Sequence, residues 1–182
     1  MTWLLIIGVV VGVLVVGVLA VVAVGATLPK HHVAARRVTL PAGPGEVWAA
    51  LTDVAAYPSW RPRVRGVEVL GTGPLRWRET GRDGAITFEL TEADEPRRLV
   101  TRITDESLPF GGSWTYRLAP AGTGTTVTVT EHGEVRNPLF RFVSRYVMGH
   151  TATIDGYLTA LGARFGQAVT PETADAPETA GA

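Results

Sequence analysis

The residues in this chain best suited to chemistry are a few carboxylates, one imidazole and a set of aromatic rings. In Val127-Thr-Val-Thr-Glu131 a strand period of two puts Glu131 on the face of Val127 and Val129. In Leu75-Arg-Trp-Arg-Glu79 the same period groups Glu79 with Leu75 and Trp77. If these faces point inward, both carboxylates border a core, where each needs a partner or a raised pKa. Such a group is a candidate for orienting a ligand or moving a proton. The competing reading is a bulge or sheet edge in solvent, or an ion pair with Arg102 or Arg117. His150 falls on an apolar helical stripe, four residues after Tyr146 and four before Ile154. Facing inward it would meet Glu131 as an acid–base pair; otherwise it is a hydrogen-bonded core histidine. Glu131 and His150 are therefore the candidate catalytic residues, with Tyr146 beside them. Trp60, Trp77, Phe88, Trp114, Tyr116 and Tyr146 are candidate ligand-lining aromatics, set against the ordinary use of such rings as core.

Composition narrows the function classes. The 182 residues carry no net charge and no cysteine. The balance argues against a general nucleic-acid partner, and the missing thiols remove disulfides, cysteine nucleophiles and cysteine-held metals. No phosphate loop, nucleotide fingerprint, zinc spacing or serine-nucleophile elbow occurs, so no cofactor and no metal is expected. His31 and His32 are adjacent, without a third ligand nearby, and read as solvated juxtamembrane residues.

Residues 3–26 form an uncharged run of 24 dominated by Val, Leu, Ile and Gly. As a helix it spans roughly 36 Å, enough for a bilayer core of about 30 Å with some tilt. The run is long for a signal-peptide h-region, no basic residue precedes it, and residues 24–26 make a poor cleavage site, which favours an uncleaved anchor. Lys30, His31, His32, Arg36 and Arg37 follow it, so the positive-inside rule gives a single-pass protein of the cell membrane with its C-terminal domain in the cytoplasm. Gly8 and Gly12 match the small-residue helix-pairing pattern and would support a weak homodimer.

The elements that must position the candidate residues follow. Residues 36–42 read as a first strand and 45–60 as two short helices broken at Pro58. Period-two stretches then run from residue 64 to 134, with turns at residues 82–84, 94–96 and 120–124. Residues 137–167 open on Asn137 and Pro138, suited to an N-cap and first helical position. There Leu139, Phe142, Val143, Tyr146, Val147, Ile154, Tyr157, Leu158, Leu161 and Phe165 trace the apolar face of one long helix. Its second stripe, Gly149, Ala152, Gly156, Ala160 and Ala163, is small and suggests close packing or room left beside the helix. Arg141 and Arg145 lie on the other side and read as solvated or as contacts for acidic groups or anionic lipid. The layout is α+β, with one helix on a curved antiparallel sheet. The boundaries are an anchor at 1–28, a juxtamembrane linker at 29–34, a folded domain at 35–167 and a disordered tail at 168–182.

Gly45-Glu-Val-Trp-Ala-Ala-Leu-Thr-Asp-Val-Ala-Ala-Tyr-Pro-Ser-Trp60 resembles the opening of the START-like (SRPBCC) superfamily, where such a run forms two small helices after the first strand. Val129-Thr-Glu-His-Gly-Glu-Val-Arg-Asn-Pro-Leu-Phe-Arg-Phe142 is similar to the end of its polyketide cyclase/dehydrase-like branch. The resemblance covers about residues 35–167 and implies the helix-grip fold: a seven-stranded antiparallel sheet curled around a long C-terminal helix, with an apolar cavity between. Its members include lipid carriers, hormone receptors, cyclases, oxygenase subunits and co-chaperones, so the fold does not give the function. With no Cys or His set for an iron–sulfur domain, the oxygenase reading is unsupported. The leading expectation is a membrane-tethered protein that binds a hydrophobic small molecule or lipid. The alternatives are a cyclase or dehydratase using Glu131 and His150, and a scaffold protein using the outer sheet face or the tail.

Overall fold

The computed structural model describes residues 2–82, 84–149 and 151–175. An apolar helix, α1 (Thr2–Thr27), leads into β1 (His31–Leu40). Two small helices, α2 (Pro44–Thr52) and α3 (Tyr57–Trp60), precede a run of antiparallel strands. These are β2 (Val64–Thr72), β3 (Leu75–Gly81), β4 (Gly84–Asp94), β5 (Arg98–Ile103), β6 (Phe110–Ala121) and β7 (Gly124–Val135). The chain closes with α4 (Pro138–Val143), a π-helical turn (Ser144–Met148), α5 (Ala152–Arg164) and a two-residue strand, β8 (Glu172–Thr173). The sheet order is β2-β3-β4-β5-β6-β7-β1-β8.

Three sequence expectations change here. The sheet has eight strands rather than seven, because residues 172–173, assigned to the tail, pair with Arg36 and Arg37 on the free edge of β1. The first strand starts at His31, so residues 31–34 belong to the sheet and not to a linker. They pair with residues 131–134 of β7, which satisfies their backbone groups. The long C-terminal helix is two helices. Asn137 does cap it, its side chain accepting from the Phe140 N–H, and Pro138 is its first residue. The π-helical turn then ends at Gly149, whose φ of 75° is a left-handed conformation that side chains with a Cβ rarely adopt. Of the small stripe beyond it, Ala152, Gly156 and Ala163 are exposed, so that stripe faces solvent rather than the sheet.

The sheet's inner face is covered unevenly. At one end, α2 and α5 press Val47, Leu51, Ile154, Leu158 and Leu161 onto Val38, Leu40, Leu99, Leu118 and Val127 in a dry core. Arg36 ties α5 to the sheet, donating from Nε to Asp155 at 2.6 Å. The register gathers the start of β1, the end of β7, the start of β6, the end of β5 and the β3–β4 hairpin at the opposite end. There the helical layer is interrupted.

α1 joins the domain at this open end. Every described side chain from Trp3 to Ala20 is exposed, and among the described residues this is the one helix long and apolar enough to cross a membrane. Its last turns pack on α4. Gly25 is buried there, and a Cβ on it would collide with the Pro138 carbonyl. Arg141 is buried, at 8% exposure, and its Nη1 donates to the carbonyls of Leu28 at 2.8 Å and Ala26 at 3.3 Å. A guanidinium at these orphan helix-end carbonyls complements the helix dipole. Arg141 is thus a clamp between α1 and α4 rather than a solvated arginine.

Replacing Arg141 with methionine keeps most of the packing volume and removes these bonds. We expect amide hydrogen exchange in residues 139–143 to accelerate by an amount equivalent to roughly 1.5–3 kcal/mol of local opening, the scale of a hydrogen bond to a charged group. Unchanged exchange there would show that the clamp carries no energy.

Candidate functional site

At the open end lies a cavity of about 590 Å³, inside the range of roughly 300–1,000 Å³ common for small-molecule sites. Period-two strands build its walls, each sending alternate side chains inward. Val64, Trp77, Ile86, Phe88, Ile103, Phe110, Trp114 and Val135 supply apolar surface from β2 through β7. Leu108 and Pro109 contribute from the β5–β6 connection; Phe140, Ser144, Gly149 and Thr153 line it from the broken helix. Trp77 and Phe88 stack with centroids 5.6 Å apart, and Phe110 stacks on Phe140 at 6.0 Å.

Polar side chains interrupt this surface, and two charged pairs stand out among them. The first is the pair Arg61–Glu79. Arg61 Nη1 donates to Glu79 Oε1 at 2.6 Å, and Trp77 Nε1 donates to the same oxygen at 3.0 Å. The Arg61 guanidinium also lies 4.6 Å from the Tyr57 ring centroid and 5.1 Å from that of Tyr157, within cation–π range. Glu79 is therefore an inward carboxylate with its charge matched, by Arg61 rather than by Arg102 or Arg117. Tyr57 donates its hydroxyl to the Leu51 carbonyl at 2.6 Å. Burial pushes the phenol of Tyr116 up to about 12, and those of Tyr57 and Tyr157 well above the ordinary tyrosine range.

The second group is His32 with Glu131. His32 lies opposite Gly133 in the β1–β7 register, and a Cβ on Gly133 would strike the imidazole. The absent side chain makes the space in which the ring lies across the sheet. Its Nε2 is 3.7 Å from Glu131 Oε1, close enough for an ion pair when the ring is protonated and long for a hydrogen bond. Glu131 Oε2 is buried and accepts no hydrogen bond from the described residues. A buried acceptor left open beside a cavity is suited to a donor on a bound molecule.

Of the sequence-derived candidates, Trp77, Glu79, Phe88, Trp114, Tyr116 and Glu131 line the cavity. Trp60 stands apart, packed edge-on to Tyr57 and Tyr157 at 5.5 and 5.6 Å. Tyr146 is 60% exposed on the outer side of the π-helical turn, against Phe142. His150 lies outside the described residues; among those described, His32 sets its imidazole against Glu131. Sequence reasoning missed His32, Arg61 and Phe140. His32 had a signal, since extending the alternation of Leu40, Val38 and Ala34 back along the strand puts it on the inward face. Among the described residues no cluster of three or more His, Asp or Glu side chains could hold a metal.

The tyrosines give the site a pH signature. Tyr116 keeps its proton to a higher pH in the folded chain than in the unfolded one, so its contribution is fully present below pH 10.0 and lost as pH rises through about 12. That contribution is on the order of 2–3 kcal/mol. Urea stability should therefore fall across this window, and the phenolate absorbance of Tyr116 should rise only with unfolding. Early titration of Tyr116 in a folded chain would mean that this floor of the cavity is solvated.

The arrangement matches known proteins in fold and sequence. Residues 31–165 match the family model described as "Polyketide cyclase / dehydrase and lipid transport". Comparison with curated proteins returned no match. Among solved structures, a START superfamily protein from Mycobacterium smegmatis superposes with a TM-score of 0.61 at 19% identity, covering 74% of this chain and 97% of that one. Truncated norcoclaurine synthase from Thalictrum flavum gives 0.59 at 13% identity, over 72% and 91%. The di-domain ARO/CYC BexL of the BE-7585A biosynthetic pathway gives 0.60 at 16% identity, over 81% of this chain and 53% of that one. At these identities the structural likeness establishes a shared fold. With the family model spanning most of its length, the chain belongs to the polyketide cyclase/dehydrase and lipid-transport family.

Proposed function

We propose that the protein is a membrane-tethered binder of a hydrophobic small molecule or lipid, held between the sheet and the broken C-terminal helix. The observation that carries this reading is the cavity, with mostly apolar walls and, among the described residues, an open buried acceptor at Glu131 Oε2. An apolar molecule with a hydroxyl or amine at one end meets both features: its body removes apolar wall from water, and its donor satisfies the carboxylate. The exposed apolar α1 supports tethering, and the basic residues after it favour a cytoplasmic domain. Such placement suits a ligand that resides in or passes through the bilayer.

A second reading, an acid–base enzyme, is favoured by the 3.7 Å approach of His32 to Glu131. With a donor–acceptor pair at one end of an apolar cavity, a bound molecule could lose a proton to one group and receive it from the other. The cyclase among the similar structures shares the fold and lends this reading no more than that.

1-Pyrenebutanol, an apolar fluorophore with one hydroxyl, tests the binding reading on the full chain in detergent. The native chain should bind it, and Ile86→Trp, which fills the cavity from β4, should weaken binding by at least about tenfold, or 1.4 kcal/mol. Equal binding by both would place the ligand elsewhere. Glu131→Gln separates the two readings. Loss of affinity confined to ligands with a donor group supports recognition. Loss of turnover of a bound compound at unchanged affinity supports catalysis.

A further inference from the structure

We infer that α4 and the π-helical turn lie in the headgroup layer of the membrane, and that the mouth of the cavity opens directly onto the bilayer. This rests on α1 being a membrane span. The first support is length. α1 has 26 residues, roughly 39 Å of helix, while a hydrocarbon core of about 30 Å uses about 20 of them. About two turns are left over. α4 packs against the last turns, with Val21 and Val22 half-buried and Gly25 fully buried, whereas every described residue from Thr2 to Ala20 is exposed. The contact begins where the hydrocarbon would end.

The second support is rigidity. A flexible tether would leave the domain's orientation open. Here the α1–β1 connection is three residues, Gly25 sits against the Pro138 carbonyl, and the Arg141 guanidinium holds the Leu28 and Ala26 carbonyls. The third is the surface presented. Leu139 is 43% exposed, Phe140 36% and Tyr146 60%, an apolar and aromatic patch of the kind enriched at membrane interfaces. Lys30 and Arg145 are exposed beside it, placed for lipid phosphates. Exposed Glu106, on the β5–β6 connection, opposes them, so apolar insertion is the main attraction. Finally, Phe140, Ser144 and Gly149 belong to this element and also line the cavity. A ligand leaving past them would enter lipid without crossing water.

The absence of cysteine in the chain permits a direct test. Leu139→Cys, Ser144→Cys and Tyr146→Cys, with Thr123→Cys in the β6–β7 turn at the far end of the sheet as control, are each labelled with bimane. The full chain is reconstituted in phosphatidylcholine vesicles containing a minority of phosphatidylglycerol, with and without brominated phosphatidylcholine. Quenching of at least about twofold at 139, 144 and 146, and none at 123, is expected for groups at headgroup depth. Retention of the chain through alkaline carbonate extraction, with no more quenching at the three sites than at 123, would overturn this inference and leave the span intact. Loss of the chain to the extraction would overturn both.

Discussion

A mismatch of lengths governs this structure. β6 and β7 are 12 residues each, roughly 40 Å of strand, while α5 is 13 residues, roughly 20 Å of helix. One helix of that length covers about half of the inner face. The covered half is a dry core, with Val127, Val129, Ile154, Leu158 and Leu161 fully buried. The other half mixes apolar strand residues with Glu79 and Glu131, and α4 and α5 meet it at Phe140 and Thr153. What remains is a cavity, and its position follows from where the helix breaks. Gly149 supplies the break, and α4 before it packs against α1.

The same division separates stabilising polar groups from available ones. Arg36–Asp155, Arg61–Glu79 and the clamp of Arg141 tie helix to sheet, α3 to sheet and α1 to α4. Each joins segments distant in sequence; the first two pair opposite charges, and Arg141 is held by backbone carbonyls. Glu131 differs, because among the described residues its Oε1 has His32 Nε2 at 3.7 Å and its Oε2 has no hydrogen-bond partner. A protein that required nothing at that point would be better served by an apolar residue, as at Val127 and Val129 on the same strand face. That contrast between neighbours supports the proposed role of Glu131 toward a ligand.

Much of this was legible in the sequence. Period two groups Glu79 and Glu131 with apolar strand faces, Asn137 and Pro138 mark a helix start, and the motif over residues 45–60 carries the family resemblance. The helix break was not legible, because the apolar stripe of residues 139–165 continues through it in register. Gly149 read as one small residue among several, and only its positive φ distinguishes it. His32 was missed because the basic residues after α1 suggested solvent, whereas strand pairing with β7 turned the ring inward over Gly133. Arg61 and Arg141 were missed for a related reason: arginine beside an apolar run reads as surface until its partners, distant in sequence, are brought beside it. Local pattern reports the period of an element well, and partners contributed by remote segments poorly.

On the proposed function, the uncovered half of the sheet holds an apolar molecule. Native mass spectrometry of the full chain, released from purified membranes without exposure to added ligand, tests it most directly. A population carrying one extra apolar compound, lost in Ile86→Trp, is the result this account predicts. A chain found only at its bare mass, or an adduct that survives Ile86→Trp unchanged, would contradict it.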